Sequence, residues 1–151
     1  MTTTVPDADK NLDAACAAVV HEISRTDSKG SLLLAFNGAV LAGLAAVSDK
    51  DLPPATKVFG ALAIITLGAA AALLLLVVRP RLRGDDQASF PYWARLGEHE
   101  IRARMEEDTR AATIRALSML AVQKFTQLRH AVDLSLAALA LLSLAAAGLA
   151  L

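Results

Sequence analysis

Hydrophobic positions in this chain gather into three blocks separated by polar connections. The first is Ser31–Val47 (SLLLAFNGAVLAGLAAV), interrupted once by Asn37. The second, Val58–Val78, is uncharged from end to end and then breaks into RPRLR at Arg79–Arg83. The third, Leu134–Leu151 (LSLAALALLSLAAAGLAL), runs to the last residue. A helix over the second block is about 31 Å long, which matches a bilayer core of roughly 30 Å. Its twelve Leu, Ile, Val and Phe residues sum to about −4 to −7 kcal/mol on the insertion scale. The other two blocks, at about 17–18 residues, lie at the lower limit for a span. Between the first two lies SDKDLPPATK, whose Pro53-Pro54 pair stops a helix and forces a tight connection. The pattern predicts an antiparallel hairpin followed by a third span.

Both outer spans are predicted to continue helices that begin in polar sequence. Leu12, Ala15/Cys16, Val19 and Ile23 recur at three-to-four spacing, and so do Ile114, Leu117, Ala121, Phe125, Leu128 and Val132. Two long helices follow, over about residues 8–48 and 105–150. Orientation comes from Lys and Arg: of fifteen, only Lys50 and Lys57 lie in the Pro-Pro loop. The remainder flank the opposite ends of the spans, which predicts a cytoplasmic N-terminus and an external C-terminus. The expected fold is therefore an all-α membrane protein of three transmembrane helices, N-in and C-out, whose first and third spans extend into parallel cytoplasmic stalks. It reads as one domain: stalk 8–30, first span 31–47, external loop 48–57, second span 58–78, cytoplasmic loop and stalk 79–133, and third span 134–151. A soluble Ala/Leu-rich bundle is the alternative, and the second block, with no polar face, argues against it.

Composition agrees with a membrane chain. Hydrophobic residues make up 55% of the 151, and the mean hydropathy is +0.46. A formal net charge of zero and 4% aromatics argue against a nucleic-acid polymer as partner. The single Cys16 excludes an internal disulfide and multi-thiolate zinc frameworks. The N-terminal MTTTVPDADK lacks a basic n-region, which argues against a cleaved signal peptide.

Chemistry is sparse. In HEISR, Arg25 stands where a zincin needs its second His. His21, His99 and His130 share no i, i+4 pair, and there is neither a phosphate loop nor a nucleophile elbow. No catalytic residue, metal or cofactor is expected. Charge gathers instead at the predicted inner membrane boundary. Aligning Gly30 with Asp133, an offset of about 103 residues between parallel stalks, puts Glu22, Arg25, Asp27, Lys29, Lys124, Arg129 and Asp133 in one slab. These residues are either snorkelling and interhelical ion pairs, or an anion site. In the second case Arg25, Lys29, Lys124 and Arg129 hold a phosphate and Asp27 addresses a ribose or base. Asn37 either hydrogen-bonds across helices or lines a conduction path. Gly38, Ala39, Ala42, Gly43, Ala45 and Ala46, with Gly60, Ala61, Gly68 and Ala69–Ala72, predict close packing of the spans with each other or with copies. Phe90, Tyr92 and Trp93, in GDDQASFPYWARLG, serve as headgroup anchors or as a clip between stalk helices.

With those residues in view, the chain resembles the small membrane effectors of Pycsar antiphage defence. RTDSKGSLLLAFNGAVL looks like the family's stalk-to-span signature, with Asp27, Lys29 and Asn37 at its Asp-x-Lys and Asn positions. IRALSMLAVQKFTQLRHAV is similar to the helix with a Lys-aromatic pair before the last span, here Lys124-Phe125. The resemblance implies a multi-pass protein of the bacterial cell membrane. It implies a ligand, cyclic CMP or cyclic UMP, made by a pyrimidine nucleotide cyclase on infection, and impairment of the inner membrane in response. Three helices leave no lumen, so any conductance requires a homo-oligomer. Two other classes stay open: a non-signalling membrane scaffold whose stalks bind a cytosolic partner, and a channel component without ligand control.

Overall fold

The computed structural model describes residues 5–47, 51–79, 92, 94–105 and 108–149. Among these residues the chain is all-helical, with α1 (Val5–Val47), α2 (Pro54–Val78), α3 (Glu98–Met105) and α4 (Arg110–Ala147). α1, α2 and α4 are each long and apolar enough to cross a membrane. Most of the GDDQASFPYWARLG segment lies outside the described residues, as do residues 48–50 and the last two of the third block.

Local chemistry explains where each helix starts and stops. α1 opens at Val5-Pro6 with Asp7 in its first turn; proline is tolerated there, and the carboxylate faces the positive end of the helix dipole. It then runs unbroken for 43 residues, from polar stalk sequence through the first apolar block. α2 has Pro53 at its N-cap in an extended conformation (φ −52°, ψ 148°) and Pro54 in its first turn. It ends at Arg79 (ψ 123°), because the following Pro80 disfavours the helical region for the residue before it.

The sequence predicts a long helix over about 105–150; in the structure it is α4, starting later at Arg110, with the short α3 before it. Residues 108 and 109 are not helical. Asp108 Oδ1 accepts the backbone N–H of Arg110 at 3.2 Å, the competition with helical hydrogen bonding that makes Asp a helix-starter. α3 carries half of a capping box: Gly97 N–H donates to Glu100 Oε2 at 3.0 Å. Glu98 and Glu100 in its first turn and Arg102 and Arg104 in its last complement the dipole.

By contacts the chain divides into two compact units, residues 1–25 with 80–124 and residues 26–79 with 125–151. In the second unit, α2 runs antiparallel to its neighbours. Val77 and Val78 lie beside Gly30, where an added Cβ would meet their side chains at 4.0 and 3.9 Å. At the other end of α2, Thr56 Oγ1 donates to the Ala145 carbonyl at 3.1 Å. α2 buries Ala63, Leu67, Ala70, Leu74 and Val77, a four-three repeat that forms one narrow seam. α4 answers with Leu128, Ala131, Ser135, Ala138 and Ala145. Leu74, Leu128 and Ala131 pack together with Leu33, Leu34 and Leu73, so that all three helices meet there. Leu32, Ile65 and Leu136 point outward, at 75%, 68% and 59% exposure, as lipid-facing residues do.

Two packing expectations change. Ile114, Leu117 and Ala121 are half-buried and Leu128 is buried as the periodicity predicts, but Phe125 and Val132 are exposed, and the seam of α4 passes through Ala131 instead. The glycines of the spans do not mediate close contacts within the chain, which leaves packing with copies as the open half of that expectation: an added Cβ at Gly38, Gly43, Gly60 or Gly68 meets nothing within 4 Å. Ala70 alone of the quoted set is fully buried.

Gly148 is different, since a Cβ there would sit 3.0 Å from Thr56 Oγ1. Gly148→Leu is expected to push the start of α2 off α4 and destabilise the unit by about 1–3 kcal/mol. Gly38→Ala is expected to be neutral or to stabilise by up to about 1 kcal/mol. Thermal unfolding of both variants in detergent checks the contrast.

Candidate functional site

In the first unit the most connected side chain is Arg110, the first residue of α4. Its Nε and Nη2 grip Asp108 at 2.9 and 3.0 Å. Nη2 also donates to Asp9 Oδ1 at 2.6 Å, and Nη1 to Asp13 Oδ1 at 3.1 Å and the Asp9 carbonyl at 3.3 Å. Asp9 and Asp13 are one turn apart on α1 and so share a face, while Asp108 is fixed by capping α4. One planar guanidinium thus ties two helices through three carboxylates, the bidentate geometry that Lys cannot supply. Cys16 Sγ, 3.9 Å from the Arg110 carbonyl, closes the same junction. Hydrogen bonds from the Arg110 side chain and backbone hold the Asp108 carboxyl below its ordinary range. Asp108, Asp13 and Asp9, in that order, raise Arg110 further above its already high value.

The second unit holds a buried polar pair inside its apolar packing. Asn37, fully buried, donates from Nδ2 to Ser135 Oγ at 3.0 Å. Ser135 in turn donates to the Ala131 carbonyl at 2.9 Å. Asn37 Oδ1 is buried and has no hydrogen-bond partner. Of the two uses open to Asn37, the structure realises the interhelical hydrogen bond.

These contacts set the register of the parallel helices α1 and α4. Within the first unit Arg110 reaches Cys16, Asp13 and Asp9 across 94, 97 and 101 residues. Within the second, Asn37 and Ser135 are 98 apart. The expected pairing of Gly30 with Asp133 is therefore displaced by five residues, about 7.5 Å of rise. Asp133 stands level with Ala35, inside the first apolar block, and Arg129 level with Ser31.

The predicted anion-site residues divide between the units: Arg25 and Lys124 belong to the first, Asp27, Lys29 and Arg129 to the second. Arg25 is exposed and pairs with Glu22 at 3.3 Å, one turn back on its own helix. Lys29 and Arg129 are exposed and, at the register of their unit, stand within one turn of the same height. Asp27 and Lys124 are half-buried. The Asp27 carbonyl accepts from Ser31 Oγ at 3.0 Å. Among the described residues no cluster of His, Cys, Asp and Glu has the geometry to hold a metal ion.

Sequence reasoning missed the Arg110 junction. Its signal was present in the i, i+4 spacing of Asp9 and Asp13 and in Asp108-x-Arg110. Ser135, a polar residue at the start of the third apolar block, was the available clue to the partner of Asn37.

Three apolar helices, one carrying a buried Asn bonded across to a Ser on another, define an all-helical membrane protein. The chain matches the Pycsar effector protein domain over residues 11–151 and belongs to that family of antiphage defence effectors, which is not a known catalytic family. Neither a curated protein nor a solved structure matches it.

Two predictions follow from these geometries. Ser135→Ala strands Asn37 Nδ2 and is expected to lower bundle stability by about 1 kcal/mol. Asn37→Leu removes the unpartnered Oδ1 together with the bond and is expected to cost less than Ser135→Ala; unfolding in detergent ranks the two. At the junction, a depressed carboxyl contributes stability that is complete above the ordinary carboxylate range and lost as pH falls through the lowered value. Hydrogen exchange over residues 9–16 is expected to stay slow from neutral pH to about 4 and to quicken below it. In Arg110→Ala it is expected to be fast throughout.

Proposed function

We propose that the chain is a multi-pass effector of the bacterial cell membrane, activated by a cyclic pyrimidine nucleotide and acting by impairing the inner membrane. Membership of the Pycsar effector family over residues 11–151 carries this proposal. The three candidate spans supply the means of acting on a bilayer. α1 and α4 also support it, because each passes without a break from charged sequence into an apolar block.

In this assignment the N-terminus and residues 79–133 are cytoplasmic and the C-terminus is external, following the bias of Lys and Arg. Arg25, Lys29, Lys124 and Arg129 attract the nucleotide phosphate, and Asp27 addresses its sugar or base. The ligand is cyclic CMP or cyclic UMP from a partner pyrimidine nucleotide cyclase. It acts by binding the active arrangement of helices more tightly than the resting one, the only way a ligand shifts such an equilibrium. Several copies assemble to form the lesion.

Proteoliposomes loaded with dye test this directly. Cyclic CMP or cyclic UMP, added separately, is expected to release dye from vesicles holding the intact chain. Arg25→Ala and Lys124→Ala are expected to abolish the release while leaving insertion unchanged. Absence of leakage with either nucleotide rejects direct gating, and favours a scaffold that binds a cytosolic partner. Undiminished leakage in both variants rejects the assigned phosphate site.

A further inference from the structure

The first unit exposes two stripes that match each other in chemistry. On α1, Asp13, Ala17, Val20 and Ser24 are all exposed, at four-three-four spacing that places them on one face. On α4, Ala112, Arg115, Met119 and Val122 are exposed at three-four-three spacing. Val20 is 53% exposed, Met119 64% and Val122 66%, large apolar side chains on helix segments that carry charge and lie outside the apolar blocks. Arg115, Ser118, Met119, Val122 and Gln123 line a shallow, mainly apolar groove along α4.

Charge distinguishes the stripes. The Arg110 junction gathers three carboxylates around one guanidinium, an excess of two negative charges, and its Asp13 side chain is 70% exposed. Arg115 has no ion-pair partner among the described residues. We infer that the α1 stripe of one copy docks on the α4 stripe of a second copy of this chain, Val20 packing against Met119 and Arg115 reaching Asp13. The alternatives fail on charge, since α4 against α4 opposes Arg115 to itself and α1 against α1 opposes Asp13 to itself.

Register supports the same pairing. This inference rests on the membrane assignment above, in which every copy is inserted the same way and at the same depth. Neighbouring stalks are then parallel and keep the stagger found within one copy, 94 to 101 residues in this unit. At a stagger of 98, Met119 stands level with His21 beside Val20, Val122 with Ser24, and Arg115 with Ala17. A helical side chain leans toward its own N-terminus, so the Arg115 guanidinium falls toward the level of Asp13. The contact uses different faces on the two partners. A docked pair therefore keeps one free α4 stripe on the first copy and one free α1 stripe on the second, and the assembly grows into a ring or an open chain.

Disulfide trapping in native membranes tests the interface. Two chains of different tag length, both with Cys16→Ala, carry either Val20→Cys or Met119→Cys and are expressed together. A mixed-tag dimer is expected under oxidation, with no dimer from either variant alone and loss of the mixed dimer when Arg115→Glu is added to the Met119→Cys chain. A dimer from Met119→Cys alone would show an isologous α4 contact and overturn the inference. So would absence of the mixed dimer in a membrane-inserted pair that still responds to nucleotide. A mixed dimer in chains that respond to neither cyclic CMP nor cyclic UMP leaves the interface standing and sinks only the nucleotide proposal.

Discussion

Inside an apolar bundle an amide has no water to fall back on, and its hydrogen bond is made within the protein or not at all. Asn37 is fully buried and its donor has Ser135 as partner, so the faces and heights at which α1 and α4 meet are coupled to one bond. A slip by one residue would turn one of the two side chains away by about 100°. The apolar residues around the pair are mostly Leu and Ala, which tolerate small slides at little cost. Specificity in this unit therefore lies with its few polar atoms, while the Ala-Leu seams supply the packing.

Polar restraint takes another form in the other unit. None of its described residues is fully buried, so apolar packing is thin, and charge does more of the holding. Arg110 ties α1 to α4 through Asp9, Asp13 and Asp108. Surface ion pairs are individually weak and screened by salt, but a guanidinium that spends its donors on three carboxylates and a main-chain carbonyl gains in geometry what it lacks in burial. A junction of this kind holds a defined arrangement and remains open to competition from other ions. The same excess of carboxylates gives the exposed face of α1 its acidic character.

Long apolar blocks and a Pro-Pro turn were enough to foresee three helices long and apolar enough to cross a membrane, two of them extending into polar sequence. The family followed from Asp27, Lys29, Asn37 and Lys124-Phe125 in their helical settings, and the match over residues 11–151 bears it out. That Asn37 would seek a partner was also legible, because a lone amide among Leu and Ala has few alternatives. The start of α4 at Arg110 was less so. The apolar repeat passes smoothly through that region, and a cap depends on one Asp side chain that competes with helix hydrogen bonding only when its neighbours hold it there.

Periodicity and composition are properties of one helix, and they settled which segments form the long helices and which are apolar enough to cross a bilayer. Register between helices is a property of pairs. The displacement of five residues from the expected alignment, the choice of Ser135 rather than another polar group for Asn37, and the gathering of Asp9, Asp13 and Asp108 on Arg110 all belong to that second kind. Each depends on contacts between residues about a hundred positions apart. Local spacing carries no information about height across such a distance, and Ala-rich faces that slide easily do not supply it. Only the tertiary structure, by satisfying a few polar groups at one stagger and not at its neighbours, decided the register.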